Sequence, residues 1–258
     1  MDVTQYLERL HYTDPVSIDH ETLGGLQLAH METIPFENLD IGLKRPIRLD
    51  EESIWEKLIV QKRGGFCYEL NGMFAWLLKE IGFDVTYLNA RVFNRDGSMG
   101  IHFDHLALLV QIPGQSSRWL ADVGFGDSFL EPLDLDGHGE QPQRLRSYRL
   151  EKRSNGYIVW QRNYDGAWER QYFFDTQSHR FPEKYQAACH YHQTSPESSF
   201  TQWSNITRAT EDGRISLEDG RLIVTQKGQR TERLFESDDE YSALLIQYFG
   251  VNLQKENL

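Results

Sequence analysis

Two adjacent glycines run straight into a helix-spaced apolar pattern at Arg63-Gly64-Gly65-Phe66-Cys67-Tyr68-Glu69-Leu70-Asn71. Glycine accepts backbone conformations closed to other residues, and Phe66, Leu70, Met73, Phe74, Leu77, Leu78 and Ile81 then recur at helical spacing until Gly82. The pattern predicts a buried helix that opens at Cys67. A helix start leaves amide N–H groups without intrahelical partners and carries the positive end of the dipole, which favours a thiolate. Cys67 is therefore a candidate nucleophile, and the competing reading is a small core hydrophobe behind a glycine turn.

A chain of 258 residues can bury a large core around such a helix. No long apolar run is present to span a bilayer, and Met1 is followed by Asp2 and Glu8 rather than a basic stretch and an apolar segment, so the expected address is the cytoplasm. Two cysteines, Cys67 and Cys189, are too few for a disulfide framework or a four-thiolate zinc site. A formal charge of -12 argues against nucleic acid as a partner. His190 and His192 lack zinc spacing and read as solvated or structural, so no metal is expected.

The first third of the chain reads as helical: Val3 to Leu10, Leu23 to His30, and about Asp50 to Gln61. In Ile34-Pro35-Phe36-Glu37-Asn38-Leu39 the proline stops a helix and Glu37 sits in an apolar segment, where Arg63 is its expected bidentate partner. After Gly82 the pattern turns to strands. Val85 to Phe93 is β-rich, and His105-Leu106-Ala107-Leu108-Leu109-Val110 with Arg118-Trp119-Leu120-Ala121-Asp122-Val123 form a hairpin around Pro113-Gly114. Centring the pairing on that turn sets His105 opposite Asp122, the base and orienter of a catalytic triad or else a structural pair. Gly124-Phe125-Gly126 follows, where backbone can approach a ligand. Short strands at 147–150, 157–161 and 169–174 suggest a small barrel or sandwich, and strands at 221–225 and 230–235 precede a closing helix from Asp238 to Phe249, with Asp238 as its cap.

Taken together, the blocks at 34–39, 63–71, 105–110 and 122–126 resemble the arylamine N-acetyltransferases of bacterial type in order and spacing. The resemblance implies an α+β fold with a cysteine-protease-like catalytic core. It comprises an N-terminal helical bundle (1–84), a central antiparallel β-barrel (85–188) and a C-terminal α/β lid (189–258). It also implies acetyl-CoA as co-substrate and a small aromatic amine or hydrazine as acceptor, with Cys67 accepting the acetyl group, His105 as its base and Asp122 orienting the histidine. Tyr191, Ser195 and Ser198 are similar to the family segment that contacts coenzyme A, although Glu197 stands where a small hydroxyl residue can follow the proline.

The residues then define the chemistry: His105 takes the Cys67 proton, the thiolate attacks the acetyl thioester, and the amine attacks the acetyl-cysteine. Phe36, Phe66 and Phe125 are candidates to hold the acceptor ring, with core packing favoured for Phe66. Backbone N–H groups at the helix start and near Phe103-Asp104 are candidates to stabilise an oxyanion. The rivals are an amide synthase that uses the same triad on a larger acyl chain and a non-catalytic ligand-binding or redox-sensing protein on the same scaffold. Oligomeric state is left open by the sequence.

Overall fold

The computed structural model describes residues 1–253, so the end of the expected 189–258 unit lies outside the described residues. Its N-terminal part is helical: α1 (Val3–Leu10), α2 (His20–Thr33), the short α3 (Leu39–Gly42), α4 (Glu51–Trp55) and α5 (Cys67–Ile81). Asp2, Asp19 and Asp50 cap α1, α2 and α4 by accepting from Gln5, Thr22 and Ser53 N–H. The helix expected at 50–61 widens halfway into a π-helical turn, Glu56–Val60. As predicted, α5 opens at Cys67 and closes at Gly82, which takes the left-handed region at φ 115°. Every residue from Cys67 to Leu78 is buried, so the helix is surrounded rather than amphipathic.

The paired glycines act through space rather than through unusual dihedrals, since neither has a positive φ. A Cβ on Gly64 would lie 2.1 Å from the Pro35 carbonyl oxygen and 2.8 Å from Glu37 Cγ. That closeness lets Glu37 N–H donate to Gly65 C=O at 2.8 Å. The expected Glu37–Arg63 pair is present and bidentate (Nε to Oε1 2.8 Å, Nη2 to Oε2 3.0 Å), and it extends into a buried chain of charges. Arg63 Nη2 reaches Asp40 Oδ1 at 3.1 Å, Lys57 Nζ joins Asp40 Oδ2 at 2.7 Å and Glu69 Oε1 at 2.8 Å, and Glu69 Oε2 accepts Phe66 N–H at 3.1 Å. Burial works against the charge on Lys57, but Glu69, Glu37 and Asp40 outweigh it and hold the ammonium above its ordinary range.

Strands β1 (Phe36–Glu37), β2 (Asp84–Val92), β3 (His105–Gln111), β4 (Arg118–Ala121), β5 (Leu133–Asp134), β6 (Gln141–Pro142), β7 (Ser147–Arg153), β8 (Gly156–Arg162) and β9 (Trp168–Phe174) come next. All but β1 form an eight-stranded antiparallel sheet in the order β5-β4-β3-β2-β9-β8-β7-β6. It curls into a barrel around Leu88, Ala107, Leu109, Phe129, Val159, Tyr172 and Phe174. Two glutamine amides bridge its ends. Gln141 accepts Asp134 N–H (2.9 Å) and donates to Asp134 C=O (3.0 Å); Gln143 accepts Leu130 and Glu131 N–H (2.8 and 3.1 Å) and donates to Glu131 C=O (2.7 Å). Strand β3 is buried on both faces, Leu106, Leu108 and Val110 joining the helical core with α5 while Ala107 and Leu109 fill the barrel, which explains its unbroken apolar run.

The hairpin register departs from expectation. Leu108 pairs with Ala121 and Gln111 with Arg118, so the turn is centred later than Pro113-Gly114, and extending the ladder would set Asp122 opposite Ala107 rather than His105. A slip of two residues, unlike a slip of one, keeps both side chains on the same face, and a diagonal neighbour is within reach.

The remaining chain carries α6 (Gln186–Thr194), β10 (Asn205–Thr210), β11 (Gly213–Glu218), β12 (Arg221–Gln226), β13 (Gln229–Leu234) and α7 (Asp238–Phe249). These strands form a second antiparallel sheet, β1-β10-β11-β12-β13, whose first strand comes from the N-terminal part. Strands β10 and β11 were not among the expected elements. The cap of α7 is Ser237, which accepts Glu240 N–H, and not Asp238, which is already helical. Among the described residues no helix is long and apolar enough to cross a membrane.

Buried inside the bundle, His30 Nε2 meets Tyr6 Oη at 3.1 Å. Burial, with a smaller contribution from Arg9, lowers its pKa to about 3. The unfolded chain binds a proton there near pH 6.5, so between these values the unfolded state holds more protons and stability falls as pH falls. Urea unfolding from about pH 6.5 down to about 4 should therefore lose up to about 1.4 kcal/mol per pH unit from this residue. His30→Gln should remove that slope; an unchanged slope would mean that His30 is not buried in its neutral form.

Candidate active site

Asp122 is fully buried, yet each of its oxygens accepts two hydrogen bonds. Oδ1 accepts from Asn71 Nδ2 (2.8 Å) and Gly124 N–H (2.9 Å), and Oδ2 from His105 Nε2 (2.7 Å) and the Tyr172 hydroxyl (2.9 Å). Burial alone would raise its pKa, but the neighbouring His105 and the hydrogen bonds from His105, Asn71 and Gly124 outweigh this and hold the carboxyl below its ordinary range. Tyr172 is the converse case: burial first, and then Asp122, push its phenol well up, so it keeps its proton and donates. The imidazole also packs against the rings of Phe125 and Tyr172 at 5.2 and 5.1 Å. With Nε2 committed to Asp122, Nδ1 is the nitrogen left for other chemistry.

Asn71 stands one turn after Cys67 on α5 and joins three elements. It donates to Leu106 C=O (2.6 Å) and to Asp122, and accepts Val123 N–H (2.9 Å). Gly124 lines the cavity of Cys67 and is also a contact point: a Cβ there would lie 2.7 Å from Cys67 Cα. The loop after β4 therefore rests on the first turn of α5. Leu106 N–H reaches the Cys67 sulfur and favours a thiolate, but burial is the larger influence and, with Asp104 and Asp122 nearby, it pushes the thiol well above its ordinary range. Burial also pushes Cys189 up, to about 12.

Cys67 and His105 line a cavity of about 700 Å³ together with Phe36, Asp104, Phe125, Tyr191, Glu197 and Ser198. Phe66 is wholly buried outside that lining and belongs to the core. Phe103 also stands apart. Its N–H, a candidate oxyanion donor in the sequence, is taken by Asn89 Oδ1 at 2.7 Å, and its ring packs edge-on to His179 and Tyr185. Ser195 does not line the cavity, and its hydroxyl accepts Glu197 N–H.

Three residues at the site carried no role in the sequence reading. Asn71 was legible only as the position four after Cys67 on one helical face, and Tyr172 carried no signal beyond strand alternation. His192 is structural rather than solvated, the second of the two expected alternatives. It is buried in the cavity wall, with Nδ1 3.1 Å from Ser198 Oγ and Nε2 3.2 Å from Asp104 Oδ1, although the latter contact is not aligned as a hydrogen bond. Among the described residues no cluster of three or more His, Cys, Asp or Glu side chains suits a metal ion.

Residues 19–258 match the family model described as N-acetyltransferase. An arylamine N-acetyltransferase from Mycolicibacterium smegmatis is 32% identical over 257 residues, covering 98% of this chain and 93% of that one. Proansamycin X synthase from Amycolatopsis mediterranei is 30% identical over 250 residues, 95% of each chain. The structure of Mycobacterium marinum arylamine N-acetyltransferase in complex with CoA matches with a TM-score of 0.91 at 29% identity, covering 98% of this chain and 94% of that one.

Asn71→Ala would leave Leu106 C=O and Asp122 Oδ1 each short of a donor and Val123 N–H without its acceptor. Asp122 Oδ1 keeps the Gly124 N–H, so at about 1–3 kcal/mol for a buried group left unpaired urea unfolding should show a loss of at least about 1 kcal/mol. A loss under about 1 kcal/mol would mean that water replaces the amide there.

Proposed function

The chain belongs to the arylamine N-acetyltransferase family, and from that premise we propose that it transfers an acetyl group from acetyl-CoA to arylamines and arylhydrazines by double displacement through Cys67. The observation that carries this reading is the 2.7 Å bond from His105 Nε2 to a buried, fourfold-bonded Asp122, at a cavity that Cys67 also lines. His105 Nδ1 accepts the thiol proton. Burial makes a lone thiolate costly, so the thiolate forms as an ion pair with the imidazolium, whose charge Asp122 balances. The thiolate attacks the acetyl thioester, coenzyme A leaves as its thiol with the proton from His105, and an acetyl-cysteine remains. The amine then attacks that thioester while His105 accepts its proton, which returns to the departing Cys67 sulfur.

Roles follow the parts of the chain: residues 1–84 supply the nucleophile, 85–188 its base and orienter, and 189–258 the cover over the coenzyme. Tyr191 and Ser198 are the coenzyme contacts that the cavity supports, and Ser195 is not. Phe36 and Phe125 hold the acceptor ring, with Asp104 on the wall beside them. A second reading, an amide synthase, draws on the similarity to proansamycin X synthase. The cavity of about 700 Å³ lies within the usual size for small ligands, and acyl length is what separates the two readings.

Intact-mass measurement after acetyl-CoA alone should show one acetyl group, mapped to Cys67 and absent from Cys67→Ala. Reciprocal plots for donor and acceptor should be parallel, and the isolated acetyl-enzyme should acetylate the amine without coenzyme. Asp122→Asn should slow turnover by at least on the order of a hundredfold. Intersecting plots, together with activity retained in Cys67→Ala, would instead indicate direct attack within a ternary complex.

A further inference from the structure

A second histidine–carboxylate pair, His192 and Asp104, stands in the wall of the Cys67 cavity, apart from His105 and Asp122. Asp104 is fixed in place. Its Oδ2 accepts Val92 N–H at 3.1 Å, and it lies so close to Gly100 that a Cβ there would be 2.1 Å from Oδ2. The Tyr68 hydroxyl, on the residue after Cys67, donates to the Phe103 and Asp104 carbonyls at 2.7 and 3.1 Å, which ties this segment to the start of α5. A fixed carboxylate beside a buried sulfur opposes the thiolate. Burial is the largest influence that pushes the Cys67 thiol up, and Asp104 is the foremost of the charges that add to it. Its free oxygen, Oδ1, faces His192 Nε2 at 3.2 Å, and that nitrogen is buried without a hydrogen-bond partner.

Resting on the reading of Cys67 as the nucleophile, we propose that His192 is a positioning residue whose imidazolium offsets the Asp104 carboxylate, so that the thiolate forms beside a neutral pair instead of beside an anion. A lone pair on Nε2 would face a carboxylate oxygen, so this nitrogen carries a proton. Nδ1 lies 3.1 Å from Ser198 Oγ, a hydroxyl that can accept from it, and the charged imidazole then has an acceptor facing each nitrogen. Tyr68 on α5 and Tyr191 on α6 also face His192, with rings at 6.2 and 5.4 Å, and Cys67, His105, Glu197 and Arg91 line the same cavity. Arg91 gives its Nε to Gly100 C=O at 2.9 Å. Asp104 belongs to the segment that leads into β3, whereas His192 rides on α6 beside Tyr191. The offset is therefore delivered to Cys67 by the same helix that carries a coenzyme contact.

The pH profile of Cys67 alkylation by iodoacetamide in the full chain, with the modified site mapped by peptide mass, tests this without requiring turnover. His192→Gln leaves the Asp104 charge without its offset, so the midpoint should rise by on the order of one pH unit, which is about tenfold slower alkylation at any pH below it. Asp104→Asn removes the charge itself, and its midpoint should lie at or below that of the unaltered chain. Adding His192→Gln to Asp104→Asn should then move nothing, because there is no anion left to offset. An unmoved midpoint in His192→Gln, or the same rise in both backgrounds, would overturn the proposal and leave His192 as packing in the cavity wall. Should His192→Gln fail to fold, Asp104→Asn alone still decides, since a midpoint above that of the unaltered chain overturns the offset. The expected shifts in a chain that takes no acetyl group from acetyl-CoA would keep the pair's role while overturning the transfer chemistry. An acetylated Cys67 whose profile ignores His192 would do the reverse.

Discussion

The Glu69 carboxylate fixes where the central helix begins, with one oxygen on the Phe66 N–H and the other on Lys57. Through Lys57, Asp40 and Arg63 it is tied to Glu37, which lies on β1 and therefore in the C-terminal sheet. One chain of buried charges thus positions the helix start relative to the sheet that closes over it. Such a chain adds little net stability over an apolar replacement, but removing one partner strands the others and costs about 3–5 kcal/mol. Its value is geometric. An apolar core of the same volume would hold these elements together without fixing the rotation of α5 that presents Cys67.

The remainder of the site is assembled by a strand that belongs to two cores. One face of β3 packs on α5 and the other on the barrel interior, so Leu106 reaches the Cys67 sulfur while its neighbour His105 reaches Asp122. Asn71 locks the arrangement from the helix side and Tyr172 from the barrel side. The close seating of Gly124 on α5 makes the spacing between Cys67 and the loop that follows β4 a property of backbone packing rather than of side-chain choice.

What the sequence disclosed follows the strength of local patterning. The helix from Cys67 to Gly82 was legible because its apolar repeat and its glycine stop agree. The Glu37–Arg63 pair was legible because a carboxylate in an apolar segment requires a partner. His105 and Asp122 were paired through a wrong register, and the contact survived because the error was two residues. Strands β10 and β11 escaped because Asn205–Thr210 and Gly213–Glu218 mix polar residues into their inward rows, and their pairing with β1 depends on a segment far away in sequence. For His192 the sequence left solvated and structural readings open for a related reason: burial of a histidine depends on which elements close over it, and local spacing carries no record of that.

The barrel's seam is made differently from the rest of its wall. Between β5 and β6 no run of backbone pairs closes the circle, and the amides of Gln141 and Gln143 take over the peptide groups that a ladder would have used. Elsewhere neighbouring strands are joined by backbone ladders, with one shift of register at Val159 and Trp160 between β8 and β9. Here the closure depends on the length and torsion of two side chains. At this seam the width of the wall rests on side chains, while β3, which carries His105, is held by its backbone ladders to β2 and β4.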